Sequence, residues 1–164
     1  MESDRVKSIL INELNFNKKK IEKLEILKNF IIKHNKLYNL ISKSTEEQIW
    51  TRHILDSAQL VKYINFEDER HVSDFGSGAG FPGLIISIYN NNAKFHVNMY
   101  EKSPVKAKFL TKMVSELDIK ANIMSGDLKN YQIGSGLIVC RAFKKLTEIL
   151  RISREISEKP YKII

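Results

Sequence analysis

Four of the chain's seven glycines fall between residues 76 and 83, at Gly76, Gly78, Gly80 and Gly83, in the segment VSDFGSGAGFPGL (Val72–Leu84). Glycine loses more backbone freedom on folding than any other residue, so such a cluster implies positive φ or close approach to another group. A short apolar run, His71–Phe75, precedes it and reads as a strand. Leu84–Tyr89 follows and reads as a helix, with Pro82 suited to the first turn. A strand, a glycine-rich turn and a helix form a crevice at the carboxyl end of a parallel sheet, where ligands bind. A tight turn without a ligand seldom needs so many glycines.

The rest of the chain supplies the sheet. From about residue 70, apolar runs alternate between strand and helix character. Phe95–Tyr100, Ile119–Met124, Leu137–Cys140 and Tyr161–Ile164 read as strands. Ser103 and Pro104 suit the cap and first turn of a helix whose inner face carries Val105, Phe109, Met113 and Leu117. Phe143–Ile156 reads as another helix. Alternation of this kind implies an α/β fold with parallel strands and crossover helices. The first third differs. Ile21, Leu24, Leu27, Phe30 and Ile31 recur at helical spacing between Lys19 and Lys36. After a loop, Ser44 and Glu47 form a capping-box pattern ahead of a helix burying Ile49, Trp50, Ile54, Leu55, Ala58 and Val61. The expected organisation is a helical cap over residues 1–65 on an α/β core over residues 66–164, together one compact unit.

Composition bounds the function. A chain of 164 residues with 43% hydrophobic and 28% charged residues reads as an ordinary globular protein. There is no apolar stretch of membrane-spanning length and no signal peptide. The single cysteine, Cys140, cannot form an internal disulfide, which fits a reducing, cytoplasmic setting. A net charge of +8 and a pI near 9.5 favour an anionic partner. Lysine-rich surface alone gives the same figure, because net charge speaks to non-specific association.

The glycine spacing narrows the ligand. Counting from Gly76, the dinucleotide fingerprint G-x-G-x-x-G meets Phe81 where it wants glycine. The register Gly78-x-Gly80-x-x-Gly83 satisfies it but begins too far from the strand. No P-loop lysine follows, which argues against nucleoside triphosphate hydrolysis. The spacing D-x-G-x-G-x-G from Asp74 is similar to the first motif of S-adenosylmethionine-dependent methyltransferases. Glu101, at the end of the next strand, stands where an acid hydrogen-bonds ribose hydroxyls. Nicotinamide and S-adenosylmethionine sites both use such an acid, and a surface acid pairing Lys102 is the plainer reading. Asp127, in MSGDL, either accepts from an adenine amino group or shapes the turn after Gly126.

RHILDS (Arg52–Ser57), DFGSGAGFPG (Asp74–Gly83), EKSPVKAKFL (Glu101–Leu110) and CRAF (Cys140–Phe143) occur in this order. Together they resemble the RsmG family, also called GidB, from about Lys36 through Ala142. The resemblance implies a Rossmann-like class I methyltransferase sheet. It also implies transfer of a methyl group from S-adenosylmethionine to N7 of a guanosine in 16S ribosomal RNA. It marks Gly76 and Phe81 as contacts of the cofactor loop, beside Gly78, where a missing Cβ lets the backbone approach a ligand, and Glu101 as the ribose acid. Asp127 and Leu128 correspond to the pair flanking adenine, although the family's R-x-E pattern is missing there. Arg141 corresponds to an arginine at the cofactor and substrate face, with Cys140 in place of the usual serine. Family members continue in further strands, so the C-terminal strands are expected to be missing after KPYKII, leaving a sheet edge unpaired.

Arg52, Lys102 and Lys106 are the expected RNA contacts, with Lys108 and Lys112 in the same basic cluster. The partner is 16S rRNA or the small subunit. His53 and Asp56 invite a catalytic-pair reading, but their i,i+3 spacing, with Arg52 and Asp56 at i,i+4, favours local interactions. No metal and no membrane are expected, and the chain is read as a monomer. Two other readings stay open: an NAD-dependent oxidoreductase, and a truncated, non-catalytic cofactor- or RNA-binding remnant.

Overall fold

The computed structural model describes residues 2–68, 71–158 and 160–164. Two helices open the chain, α1 (Glu2–Asn12) and α2 (Lys18–Tyr38). Asn17 caps α2 by accepting from the Lys20 N–H at 3.0 Å, and Asn39 ends it in the left-handed region at φ 47°. The next helical segment departs from the capping-box expectation. Ser42 precedes a single 3-10 turn, Lys43–Thr45, and the Ser44 hydroxyl meets the Ser42 hydroxyl instead of a helix N–H. The chain then runs through a π-helical stretch (Trp50–Leu55), α3 (Asp56–Ala58) and a 3-10 turn (Gln59–Tyr63). It buries Ile49, Trp50, Ile54, Ala58 and Val61 as the spacing predicts, while Leu55 is only partly buried.

Five strands follow: β1 (His71–Phe75), β2 (His96–Glu101), β3 (Ala121–Ser125), β4 (Leu137–Cys140) and β5 (Lys162–Ile163). All pairings are parallel, in the order β3-β2-β1-β4-β5. Strand order reverses after β3, and the chain returns to pair β4 on the other side of β1. This is the switch-point topology of a Rossmann-like sheet. The crossovers are α4 (Gly83–Tyr89), α5 (Pro104–Glu116) and α6 (Leu146–Ile156). Pro82 stands at the N-cap of α4 rather than inside its first turn. Helix α6 starts three residues later than the sequence pattern predicts, because Ala142 takes φ 50° and breaks the path after β4.

The two sheet faces carry different cores. One packs the N-terminal helices, α4 and α5 against Val72, Val97, Met99, Leu137 and Val139. The other sets Ile152 and Ile156 of α6 against Phe75, Tyr100 and Ile138. Phe109, Met113 and Leu117 form the inner face of α5 as predicted, but Val105 is 47% exposed. Position 105 lies in the first turn, beyond the reach of the layer that covers the others. Among the described residues, no helix is long and apolar enough to cross a membrane.

Candidate functional site

Parallel register brings the functional residues to one edge. Phe75 pairs with Tyr100 on one side and Cys140 on the other, and Tyr100 pairs with Met124. The next position on each strand therefore lies at the carboxyl edge of the sheet: Gly76 and Arg141 open loops, and Glu101 and Ser125 end β2 and β3. The loop after β1 is sewn to the end of β2, with the Gly76 and Ser77 N–H groups donating to the Tyr100 carbonyl at 2.9 and 3.1 Å. Gly76 and Gly78 hold φ of 71° and 57°, the left-handed region that L residues avoid. Gly83 has a different reason. A Cβ there would stand 2.5 Å from Asp74 Oδ2 and 2.7 Å from Met99 Cγ. Its N–H donates to Asp74 Oδ2 at 3.0 Å, which ties α4 to β1. Burial pushes Asp74 up to about 7, and its Oδ1 has no hydrogen-bond partner.

Glu101 clasps the loop. Its Oε2 accepts from the Gly78 N–H at 2.8 Å and its Oε1 from the Ser103 N–H at 2.7 Å. It is only 8% exposed, which overturns the pairing with Lys102 as its explanation. Lys102 instead reaches Asp127 at 3.2 Å. The Asp127 Oδ1 also caps the turn Leu128–Asn130 by accepting from the Lys129 N–H at 3.1 Å. The turn-forming reading of Asp127 therefore holds, with one carboxylate edge toward the cavity.

These groups share a cavity of about 500 Å³. Gly76, Gly78, Phe81, Glu101, Asp127, Leu128 and Arg141 all line it, as do Lys102 and Lys106. Arg52 does not line it and is exposed on the π-helical stretch; Lys108 is exposed on α5, and Lys112 lies 5.1 Å over the Phe30 ring. The four lysines thus do not form a single rim. Their helix turns Lys108 and Lys112 away from the cavity mouth.

Arg141 is braced from a direction that sequence spacing did not predict. Its Nη2 donates to His53 Nδ1 at 2.6 Å, and its Nη1 lies 3.5 Å from Asp56 Oδ2. His53 and Asp56 therefore meet through Arg141, and Asp56 serves Arg141 instead of Arg52. With Nδ1 accepting, the His53 Nε2–H donates to Thr45 Oγ1 at 2.8 Å, and that hydroxyl donates to the Ser42 carbonyl at 2.9 Å. From Arg141 Nη2 through His53 to Thr45, each donor meets an acceptor, which fixes the neutral tautomer. Burial, aided by the Arg141 charge, pushes His53 down to about 4. Phe81 completes the brace, its ring 5.1 Å from that of His53 and 5.8 Å below the Arg141 guanidinium.

Sequence spacing did not mark Thr45, and it named His53 and Phe143 without their roles beside Arg141 and Gly76. Phe143 directly follows the Arg141–Ala142 pair in CRAF, and its ring fills the space that a Cβ on Gly76 would need. Among the described residues, no three His, Cys, Asp or Glu side chains gather as a metal site requires.

An adenosyl group with a charged amino-acid tail fits these donors and surfaces. Glu101 offers carboxylate lone pairs to ribose hydroxyls. Leu128, Tyr100, Phe143 and Ile152 offer apolar surface for a purine. A Cβ on Gly78 would meet no heavy atom nearer than 3.8 Å, so the loop leaves open space on that side. Arg141 Nη1 is buried without a hydrogen bond, its ion-pair partner Asp56 Oδ2 standing 3.5 Å away, which leaves it a donor for a further acceptor.

Comparisons with known proteins agree. The sequence pattern of the GidB family, rRNA small subunit methyltransferase G, matches residues 20–163. The ribosomal RNA small subunit methyltransferase G of Rickettsia prowazekii is 41% identical over 137 residues, covering 84% of this chain and 70% of that protein. The Rickettsia bellii protein of the same name is 39% identical over 137 residues, 84% of this chain and 69% of its own length. Among solved structures, SAH-bound methyltransferase PaMTH1 from Podospora anserina superposes with a TM-score of 0.56 at 12% identity, over 86% of this chain and 65% of that one. A SAM-dependent methyltransferase from Thiobacillus denitrificans gives 0.54 at 14% identity, over 75% of this chain and 54% of that one. The structural likenesses establish the Rossmann-like fold. On the match to residues 20–163 and on sequence identity near two in five, the chain belongs to the GidB family, rRNA small subunit methyltransferase G.

Proposed function

We propose that this chain transfers a methyl group from S-adenosylmethionine to N7 of a guanosine in the 16S rRNA of the small ribosomal subunit. The observation that carries the reading is the convergence of the glycine loop, Glu101 and Arg141 on one cavity at the switch point of the sheet. The cofactor, when bound, supplies an activated methyl group on a sulfonium.

The chain's own task is to bind and to aim. Glu101 and the Gly76–Gly78 backbone hold the ribose and the chain next to it, with Leu128 and Asp127 beside the purine. Guanine N7 carries its lone pair in the ring plane, so no proton leaves before attack and no general base is required. The geometry around His53 supports this, because its Nδ1 is occupied by Arg141 and its Nε2 by Thr45. Arg141 contributes by positioning, donating to the guanine edge or to a phosphate while Phe81 and His53 hold its plane. Arg52, Lys102 and Lys106 contact RNA phosphates. The chain acts in the cytoplasm, as a monomer and without a metal. Residues 1–65 serve as a helical cap on the core of residues 66–164.

Calorimetry with S-adenosylhomocysteine and with NAD tests the cofactor, and binding of NAD alone would sink the reading. Complementation of cells lacking the N7 mark, followed by mapping of methylated guanosine, tests the substrate. Cofactor binding with no restored mark would favour the non-catalytic remnant. Arg141→Ala should lower methyl transfer far more than S-adenosylhomocysteine affinity, and equal losses would count against a substrate-facing role.

A further inference from the structure

The cavity opens beside a surface that methyl transfer does not account for. Along α2, Phe30, His34 and Tyr38 stack as a ladder, with ring centroids 5.6 Å apart at 7° and then 5.8 Å apart at 8°. Steps of four place all three on one face of the helix. That face meets α5 running the opposite way. Lys23 Nζ donates to the Asp118 carbonyl at 2.9 Å, Lys112 lies 5.1 Å over Phe30, and the His34 ring is 6.4 Å from that of Phe109. One further turn along α2, and one back along α5, reaches Tyr38 and Val105. Leu40 and Ile41 just after α2, and Lys102 and Lys106 around the start of α5, line the cavity at that end. The apolar surface there is open: Leu37 is 73% exposed, Val105 47% and Tyr38 37%. Contiguous exposed apolar side chains beside a binding cavity mark a contact surface.

Charge identifies the occupant. Residues 26–38 and 102–115 carry seven lysines and no aspartate or glutamate. The acids bordering this area are Glu25, paired with Lys7 and Lys28, Glu46, which accepts from Asn35, Glu116, Glu101, engaged by the Gly78 and Ser103 N–H groups, and Asp127, paired with Lys102. An aromatic face within a net positive field suits a base stacked on the ring and phosphates drawn to the lysines. Resting on the rRNA reading above, the geometry points to Tyr38, flanked by Leu37 and Val105, as a stacking platform for an unpaired RNA base next to the target guanosine. Lys33 and Lys106 hold the phosphates on either side of it.

The test uses the full chain with 16S rRNA transcript and with purified small subunits. Tyr38→Ala should weaken RNA binding roughly five- to a hundredfold, the range of one lost base–aromatic stack. Tyr38→Trp should keep binding, and S-adenosylhomocysteine affinity should stay at the parent's value in both variants, which reports folding. Lys33→Ala with Lys106→Ala should flatten the dependence of log affinity on log salt by roughly 0.7 per lysine. A photo-crosslinker in place of Leu37 should join to 16S rRNA on small subunits. Crosslinks to a ribosomal protein, or a Tyr38→Ala variant that binds and methylates like the parent, would overturn the platform and leave the methyltransferase reading standing. A parent that binds S-adenosylhomocysteine but neither binds nor methylates either RNA substrate would overturn the rRNA reading and the platform with it.

Discussion

Replacing Gly78 with alanine separates what the loop needs in order to fold from what it needs in order to hold a ligand. At φ 57° an L residue costs about 1–2 kcal/mol. The added methyl group meets nothing nearer than the Gly76 carbonyl oxygen at 3.8 Å, so no clash adds to that figure. The Gly78 N–H still reaches Glu101. Urea denaturation should therefore show a loss of about 1–2 kcal/mol. A cofactor seated on Glu101 would share space with the new methyl group, and overpacking of one group costs about 1–3 kcal/mol. Calorimetry should then show S-adenosylhomocysteine affinity falling roughly five- to a hundredfold. Gly83→Ala is the contrast. Its methyl group would press on Asp74 Oδ2 and Met99 at 2.5 and 2.7 Å inside the core. Stability should drop by about 1–3 kcal/mol while the folded protein binds within a few-fold of the parent. Unchanged S-adenosylhomocysteine affinity in Gly78→Ala would refute the idea that the loop backbone cradles the cofactor.

Three further outcomes follow from the site. His53→Leu removes the acceptor from a charged donor and should cost about 1.5–3 kcal/mol of stability, with methyl transfer falling more than cofactor affinity. His53→Asn, whose Oδ1 replaces Nδ1, should recover more transfer than His53→Gln, and the reverse order would count against the Arg141 brace. Asp74 titrates near 7 when folded, against a normal value of 3.8, so its protonated form favours the native state. That contribution is complete below pH 3.8 and fades as pH rises to 7. Parent stability should accordingly fall relative to Asp74→Asn by roughly 2–4 kcal/mol across that window in pH-dependent denaturation, and parallel curves would contradict it. Glu101→Gln sets an amide NH2 against one of the two N–H donors, Gly78 or Ser103, so S-adenosylhomocysteine affinity should fall at least about tenfold in calorimetry.

The residues that local chemistry governs were legible from the sequence. Ser103 and Pro104 cap and start α5 as their side chains dictate, and His71–Phe75 and Leu137–Cys140 are strands over the predicted spans. Gly76, Gly78, Phe81, Glu101, Asp127, Leu128 and Arg141 were each nameable before the fold was known, and they meet in one cavity. Local rules misled where a distant group supplied the better partner. Ser44 and Glu47 have the spacing of a capping box, yet the helix after them starts later and as a π-helical stretch. Asp56 lies four residues from Arg52 but serves Arg141.

Local preferences alone settle the strand–glycine–helix loop and the acid after the next strand, because φ preference and alternating hydrophobicity act over a few residues. Tertiary structure decided that His53 holds Arg141, 88 positions further along, and that the aromatic face of α2 lies against Phe109 and Lys112 of α5. Those contacts arise from parallel register and helix-on-helix packing, which join segments by shape and burial and leave no spacing in the chain to read.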